Sequence, residues 1–383
     1  MIDCMFRLLR LELFSNIDIN ECEKSIELIS LKQLYLLSKS HDISHIVGAA
    51  IGKLNVKDNE LKDNFDKQQI LAVYRYERSK YELNQISILL NENNIEFIPL
   101  KGSVLRDYYP EPWMRTSCDI DILIHRDDLE KAKELFIQKF GYKLHFIGDH
   151  DIGLFAPSGI HVELHYSLIE EGRVTQADIP LKQVWNYSKP TAIIPMMYEM
   201  SKDMFYYYHI AHMAKHFLIG GCGIRPFIDL YVMREKLKFD DTQKQQLLSQ
   251  GSLLKFAEQV ETLCSVWFDG QPHTDLTRNM QDYILLGGVY GTTQNRVAIQ
   301  QTQRGGKFRY ALSRIWLPLN TLKFQYPVLN RYKWLLPICE VRRWFRLAFC
   351  GSLEKAKKEF EINSNLTEDK AIATRKLLKE LEL

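Results

Sequence analysis

Two aspartates stand two residues apart in Asp119-Ile-Asp121-Ile-Leu-Ile124, a strict alternation that passes into an apolar run. On an extended strand residues i and i+2 point to the same face, so these two carboxylates are expected side by side at the leading end of a strand. Like charges that close repel unless cations sit between them. Mg²⁺ suits that place, because it prefers oxygen ligands and shares its shell with substrate phosphates. A third acid, Glu163, lies in a second alternating run, Ile160-His-Val-Glu-Leu-His165. If that strand neighbours the first, Glu163 completes a three-carboxylate cluster. Upstream, Lys101-Gly102-Ser103 separates the short apolar run 96–100 from a helical stretch. Gly102 lets the backbone approach a ligand closely, and a helix start offers free N–H groups to phosphate. Ser103 adds a hydroxyl, and Lys101 or Arg115 can neutralise phosphate charge. His165 shares the strand face of Glu163, where it can act as a base, orient an acceptor, or form a hydrogen bond beside the site.

A second constellation is Tyr206-Tyr-Tyr-His209-Ile-Ala-His212-Met-Ala-Lys-His216. Its histidines fall at i, i+3 and i+7 and share one helical face. Three histidines on a face can bind zinc, yet no cysteine lies at ligand spacing and tyrosines and a lysine crowd the run. The other readings are a wall of an acceptor pocket, lined by His212, His216, Arg225 and Asp229, and plain helix packing. Arg225 and Asp229, at i and i+4, could also pair with each other.

The elements that must position these residues follow from periodicity. Residues 1–94 read as a helical region: an amphipathic first helix, a segment over 21–40 with Leu28, Leu31, Leu34, Tyr35 and Leu37 at three-to-four spacing, and a long charged helix over 66–92. Residues 95–195 read as an α/β core, with strands over 119–124, 142–147, 151–156 and 160–166, a helix over 126–139 stopped by Gly141, and a turn at Pro157-Ser-Gly159. Residues 196–383 return to helix, broken by Gly220, Gly221 and Gly223. The fold class is therefore α/β, a mixed sheet with helices, flanked by helical regions on both sides. Within the last region, 301–350 holds ten Lys/Arg against one acid, Glu340, together with Trp316, Trp334 and Trp344. That stretch suits a tryptophan-anchored solvated face, a dock on anionic lipid, or a nucleic-acid contact.

The ordered set of Gly-Ser, Asp-Ile-Asp and Val-Glu-Leu, on strand, helix, strand, helix and strand, resembles the DNA polymerase β-type nucleotidyltransferase superfamily. More closely, the chain resembles the bacterial family of uncharacterised nucleotidyltransferases. The likeness runs through Ile98-Pro-Leu-Lys-Gly102, Tyr109-Pro110, Arg115, Asp119-Ile-Asp121, Val162-Glu-Leu-His165, His212-Met-Ala-Lys-His216, Arg225 and Asp229, and loosely through Gly287-Gly-Val-Tyr-Gly291 and the basic stretch near 316–346. The gap from Ser103 to Asp119 is longer than is usual in the superfamily, so the loop around Pro110-Glu-Pro112 is extended. The resemblance implies an enzyme in which Asp119 and Asp121 hold two Mg²⁺ ions bridging an NTP, Glu163 binds the second ion and accepts the acceptor's proton, and Lys101, Gly102, Ser103 and Arg115 bind the nucleotide. It implies transfer of an NMP to a hydroxyl with release of pyrophosphate. It names no acceptor. A small molecule or a surface-glycan-related compound is expected, with a tRNA end or a protein side chain as alternatives. A non-catalytic nucleotide sensor or interaction protein on the same fold is the competing reading, and the complete acidic trio stands against it.

Composition bounds these readings. The chain has 383 residues, 46% hydrophobic and 26% charged, enough to bury a core. Fifty Lys/Arg against 48 acids leave a net charge of +2, which excludes a surface built throughout for nucleic acid. Seven scattered cysteines form no CxxC pair or regular framework and read as reduced thiols of a cytoplasmic protein. No apolar run approaches the length of a membrane span, and the N-terminal segment, interrupted by Asp3, Arg7, Arg10 and Glu12, reads as a packed helix.

Overall fold

The structure, a computed structural model, describes all residues except 57–58, 171–174, 289–292, 305, 350–360 and 366–367. Val289, Tyr290 and Gly291 of the loose resemblance, Cys350 at the end of the basic stretch and the first part of the charged tail lie outside the described residues. The chain divides into two compact units. The first comprises residues 1–212 and 224–277, and the second comprises 213–223 and 278–383. The first unit thus joins the N-terminal helices, the sheet and part of the later helical region in one body.

The sheet of the first unit is built from β1 (Phe97–Pro99), β2 (Asp119–Ile124), β3 (Lys143–Ile147), β4 (Asp151–Phe155) and β5 (His161–His165), in the spatial order β1-β2-β5-β4-β3. All neighbours are antiparallel except β2 and β5, which run parallel. The strand alternation read from the sequence divides the sheet into two faces. Ile120, Ile122 and Ile124 of β2, Ile152 and Leu154 of β4, and Val162 and Leu164 of β5 are buried in one apolar cluster. Against that face pack Ile86, Leu89 and Leu90, from the helix Asn59–Glu92, and Ala132 and Phe136, from the helix Leu129–Phe140. Fully burying one such side chain contributes about 1.5–3 kcal/mol, so this layer anchors the sheet. The opposite face is left to the polar residues of the same strands.

The helices of this unit are α1 (Ile2–Leu13), α2 (Ile19–Glu27), α3 (Leu31–Ser40), α4 (Ser44–Gly52), α5 (Asn59–Glu92), α6 (Gly102–Leu105), α7 (Leu129–Phe140) and the first part of α8 (Lys202–Ile219), followed by α9 (Arg225–Lys236), α10 (Asp241–Gln250) and α11 (Leu254–Asp269). The helical segment read over 21–40 divides between two helices, α2 and α3. Leu28 lies in the break and is 86% exposed, and Ser30 starts α3 by accepting a hydrogen bond from the Gln33 N–H. A serine there satisfies a helix-start donor that a continuous helix would not leave open. Gly141 stops α7 in the left-handed conformation, φ 68°, as the sequence implied. Gly48 lets α4 approach α5 closely, since a β-carbon there would lie 2.7 Å from Phe65 Cβ. A two-stranded ribbon, β6 (Ser188–Pro190) with β7 (Tyr198–Met200), was not apparent from periodicity.

The second unit holds the end of α8, then α12 (Asp275–Leu285) from Arg278 on, α13 (Thr293–Arg304), α14 (Lys307–Ile315), α15 (Leu319–Gln325), α16 (Leu336–Phe349) and α17 (Glu368–Glu380). Its basic stretch is cut into short helices by Pro318, Pro327 and Pro337. Glu340 is buried and bonds Arg343 Nε at 2.7 Å. Phe308, Trp316, Trp334, Ile338, Val341 and Phe345 are exposed. Among the described residues no helix is long and apolar enough to cross a membrane.

His45, buried in α4, donates from Nε2 to the Met114 carbonyl at 2.8 Å. Burial outweighs that bond and presses its pKa from 6.5 down to about 4. The imidazole is therefore neutral in the fold, whereas the unfolded chain takes up its proton as the pH falls through about 6.5. Its contribution is whole above that pH and is lost progressively towards pH 4, by about 3 kcal/mol at most. Urea unfolding at a series of pH values checks this. His45→Gln, which keeps an N–H donor without a titrating group, is expected to lose less stability between pH 7 and 4 than the wild type, and equal losses would contradict the assignment.

Candidate active site

On the polar face of the sheet, the parallel register places Asp119 beside His161 and Asp121 beside Glu163. The antiparallel register places Asp151 beside His165 and Gly153 beside Glu163. A β-carbon at position 153 would collide with Phe146 and His161, so the glycine gives those rings their room opposite Glu163. The condition set by the sequence is thus met: β5 lies against β2, and Glu163 stands in register with Asp121. Ligand atoms of Asp121, Glu163 and His165 all lie within 4.8 Å of one another.

Asp121 is 4% exposed and is held by two cationic partners. Lys101 Nζ lies 3.2 Å and His165 Nε2 3.0 Å from its Oδ1. Lys101 reaches it because the chain turns sharply between β1 and α6. Its φ of 45° is a conformation that non-glycine residues rarely adopt. The Leu100 N–H donates to the Asp121 carbonyl at 3.0 Å and ties that turn to β2. Burial works against the Asp121 charge, but Lys101 first and then His165 hold its carboxyl well below the usual carboxylate range. The converse applies to the partners. Burial disfavours the Lys101 ammonium, yet Asp121, Tyr208 and Asp119 raise its pKa above the ordinary lysine value. Burial alone would lower the His165 pKa, but its bonds to Asp121 and Glu163 push it up to about 9. Asp119, half-buried, has its carboxyl raised by burial and by the charge of Asp121. Three carboxylates stand against two cations, which leaves an excess of negative charge on oxygen donors. That donor set fits a hard divalent cation.

Gly102 and Ser103 begin α6 immediately after the Lys101 turn, and both are buried. A β-carbon on Gly102 would meet Ser117 Cβ at 3.2 Å and Arg115 Nη1 at 3.6 Å. Arg115 thus lies beside Gly102, but its Nε is committed to Asp229 Oδ1 at 2.6 Å. Tyr109 donates to the same oxygen at 2.7 Å. The expected Arg225–Asp229 pair is therefore replaced. Asp229 serves Arg115 and Tyr109, while Arg225 Nη1 bonds Asp42 Oδ2 at 2.7 Å and Thr116 Oγ1 at 3.2 Å. Helical spacing put Arg225 and Asp229 on one face of α9, but the loop 109–116 supplies Tyr109 and Arg115 to Asp229, while Asp42 and Thr116 take Arg225.

The histidine face of α8 divides. His209 is buried, donates Nε2 to the Pro226 carbonyl at 2.8 Å and has its pKa lowered by burial, a packing role. His212 lies beside Tyr208, with ring centroids 6.3 Å apart. His216 belongs to the second unit. Among the described residues, none of the three is in a group placed to hold a metal. Of the five residues expected in an acceptor pocket, His165 lies against the carboxylates, its Nε2 3.0 Å from Asp121 Oδ1.

Sequence reasoning missed Tyr208, which is buried and electrostatically coupled to Lys101, Asp121, Glu163 and Asp119. Within a run of three tyrosines nothing distinguishes the one that faces the site. It also missed Asp151 and His150, whose approach to His165 depends on the β4–β5 register.

The family described as uncharacterised nucleotidyltransferase matches residues 29–269, well over half of the chain. No curated protein matches. Among solved structures, the chain is similar to the antibiotic-resistance factor ANT(2'')-Ia, at 10% identity, covering 50% of this chain and 98% of that one, with a TM-score of 0.32. It is also similar to the Thermotoga maritima CCA-adding enzyme complexed with tRNA, at 12% identity, covering 82% of this chain and 85% of that one, with a TM-score of 0.23. Neither structural likeness is close enough to carry an argument.

Asp121 shares its charge between Lys101 and His165, so removing Lys101 leaves it one cation and costs less than the roughly 3–5 kcal/mol of a fully unpaired buried charge. Lys101→Met in the metal-free protein is therefore expected to lower unfolding stability by about 1–3 kcal/mol, part of the cost being returned by relief of the strained backbone only in Lys101→Gly. Denaturant unfolding of the two variants checks the order, wild type above Gly above Met.

Proposed function

The chain belongs to the uncharacterised nucleotidyltransferase family and is a nucleotidyltransferase; from that premise we propose that it moves an NMP from an NTP to a hydroxyl of a small-molecule or glycan-related acceptor, with Mg²⁺ as cofactor and pyrophosphate as the leaving product. The observation that carries this reading is the register of Asp121 with Glu163 on parallel strands, two residues beyond Asp119.

Asp119, Asp121 and Glu163 are the residues that would hold two Mg²⁺ ions. When bound, these ions neutralise triphosphate charge and make an acceptor hydroxyl more acidic. The chain's own groups do the rest. Lys101, held beside Asp121, adds positive charge where phosphate oxygens must collect. The Ser103 N–H donates to the Leu100 carbonyl at 3.1 Å, so the Gly102 N–H and the Ser103 hydroxyl are the donors for phosphate, and the absence of a side chain on Gly102 allows close approach. Arg115, fixed by Asp229, lies next to Gly102 as a preorganised cation. The acceptor oxygen forms a bond to the α-phosphorus as the α–β phosphoanhydride bond breaks, its proton passing to Glu163 and the electron pair leaving with pyrophosphate. Positioning and fixed charge supply the acceleration.

A second reading concerns the acceptor. In the second unit, α16 exposes Ile338, Val341 and Phe345, and the surrounding stretch is rich in Arg and Lys. That surface supports an acceptor at an anionic membrane or on RNA, rather than one free in the cytoplasm.

Calorimetry with each NTP in Mg²⁺, paired with release of pyrophosphate from radiolabelled NTP, tests the main reading. Asp119→Asn, Asp121→Asn and Glu163→Gln are each expected to lower transfer about a hundredfold or more. Absence of binding to every NTP, or wild-type transfer by the aspartate variants, would overturn it. For the second reading, cosedimentation with phosphatidylserine vesicles and salt-dependent RNA binding should both fall in Arg342→Glu/Arg346→Glu.

A further inference from the structure

Next to the carboxylates, the same sheet face carries a cluster of different ligand chemistry. An imidazole nitrogen from His150, one from His165 and a carboxylate oxygen of Asp151 lie within 4.8 Å of one another. The rings of His150 and His165 are 5.8 Å apart. All three residues are largely withdrawn from solvent, with side chains 20%, 8% and 10% exposed for His150, His165 and Asp151. The turn that presents them is built for the purpose. Gly148 lies under the Asp151 carboxylate, and a β-carbon there would fall 2.2 Å from Oδ1. The Gly148 N–H donates to the Asp151 carbonyl at 2.8 Å. The Tyr166 N–H donates to the His150 carbonyl at 2.9 Å, pinning the β3–β4 turn to the end of β5.

The outer partners also match a metal site. His150 Nδ1 bonds Asp149 Oδ1 at 2.7 Å, and His165 Nε2 bonds Asp121 Oδ1 at 3.0 Å. A carboxylate bonded to each ring fixes its orientation, and an ion bound at His165 would displace the proton that its bonds to Asp121 and Glu163 favour. Two imidazoles and a carboxylate suit a borderline first-row ion, whereas Mg²⁺ prefers oxygen alone.

We propose that His150, Asp151 and His165 form a transition-metal site, for Zn²⁺ before other ions, with Asp149 orienting His150 and the His165 ring joining this site to Asp121. Three protein ligands leave a coordination position open to solvent or to an acceptor group. The inference stands on this cluster alone and does not require nucleotidyl transfer.

The full-length protein, stripped with a chelator and held in excess Mg²⁺ to fill the oxygen donors, is titrated with Zn²⁺ by calorimetry and with Co²⁺ by visible absorption. About one equivalent is expected, with cobalt d–d bands that report nitrogen ligation. His150→Ala and Asp151→Asn should each weaken binding by about tenfold or more, and Asp149→Asn, on the half-exposed turn and outside the core, by about tenfold through loss of ring orientation. Circular dichroism of each variant separates loss of a ligand from loss of the fold. Absence of Zn²⁺ binding, or binding unmoved in His150→Ala and Asp149→Asn yet abolished in Asp119→Asn, would overturn the proposal.

Discussion

The parallel pairing of β2 with β5 is the constraint on which the site depends. It sets Asp121 against Glu163 and Asp119 against His161 on one face, while Ile120, Ile122, Val162 and Leu164 fill the other. Side chains alternate with a period of two, so a slip by one residue would drive carboxylates into the layer covered by α5 and α7 and expose the aliphatic residues. The cost of burying unpaired carboxylates therefore enforces the register that gathers them. Core and site are two consequences of one alternation.

Gathered acids then need countercharge, and the fold supplies it from both directions. Lys101 arrives from the β1–α6 turn in a backbone conformation that is costly for a lysine, and His165 arrives from two residues beyond Glu163. Strained residues of this kind persist where the surrounding structure over-determines them, here through the Leu100 bond to β2 and the ammonium's bond to Asp121. A second charged network lies behind the first. Asp229 gathers Arg115 and Tyr109, and Asp42 gathers Arg225 and Thr116, which fixes the extended loop 109–116 between α4 and α9. Arg115 therefore stands beside Gly102 as part of a rigid network.

Much of this was legible before any coordinates. The strands 119–124, 142–147, 151–156 and 160–166 appear within a residue or two, because alternation and glycine turns are local signals. The chain-order motif around Gly102, Asp119, Asp121 and Glu163 was equally visible. Where reading failed, the deciding contact was long-range. The 21–40 segment kept a helical period across a break that Ser30 capping creates. Arg225 and Asp229 had the spacing of a helical pair, but partners more than a hundred residues away in sequence took them both. Tyr208 and Asp151 carried no sequence mark that separates them from their neighbours.

By itself, then, the sequence determined which residues alternate on strands, which runs are helical and which acids can share a face, since these follow from side-chain period and local backbone preference. Tertiary structure alone decided that β5 lies beside β2, that Lys101 and His165 converge on Asp121, and that His150 and Asp151 close on His165. The physical reason is that pairing partners and countercharges are chosen by burial and electrostatics summed over the whole fold, and no window of local sequence contains that sum.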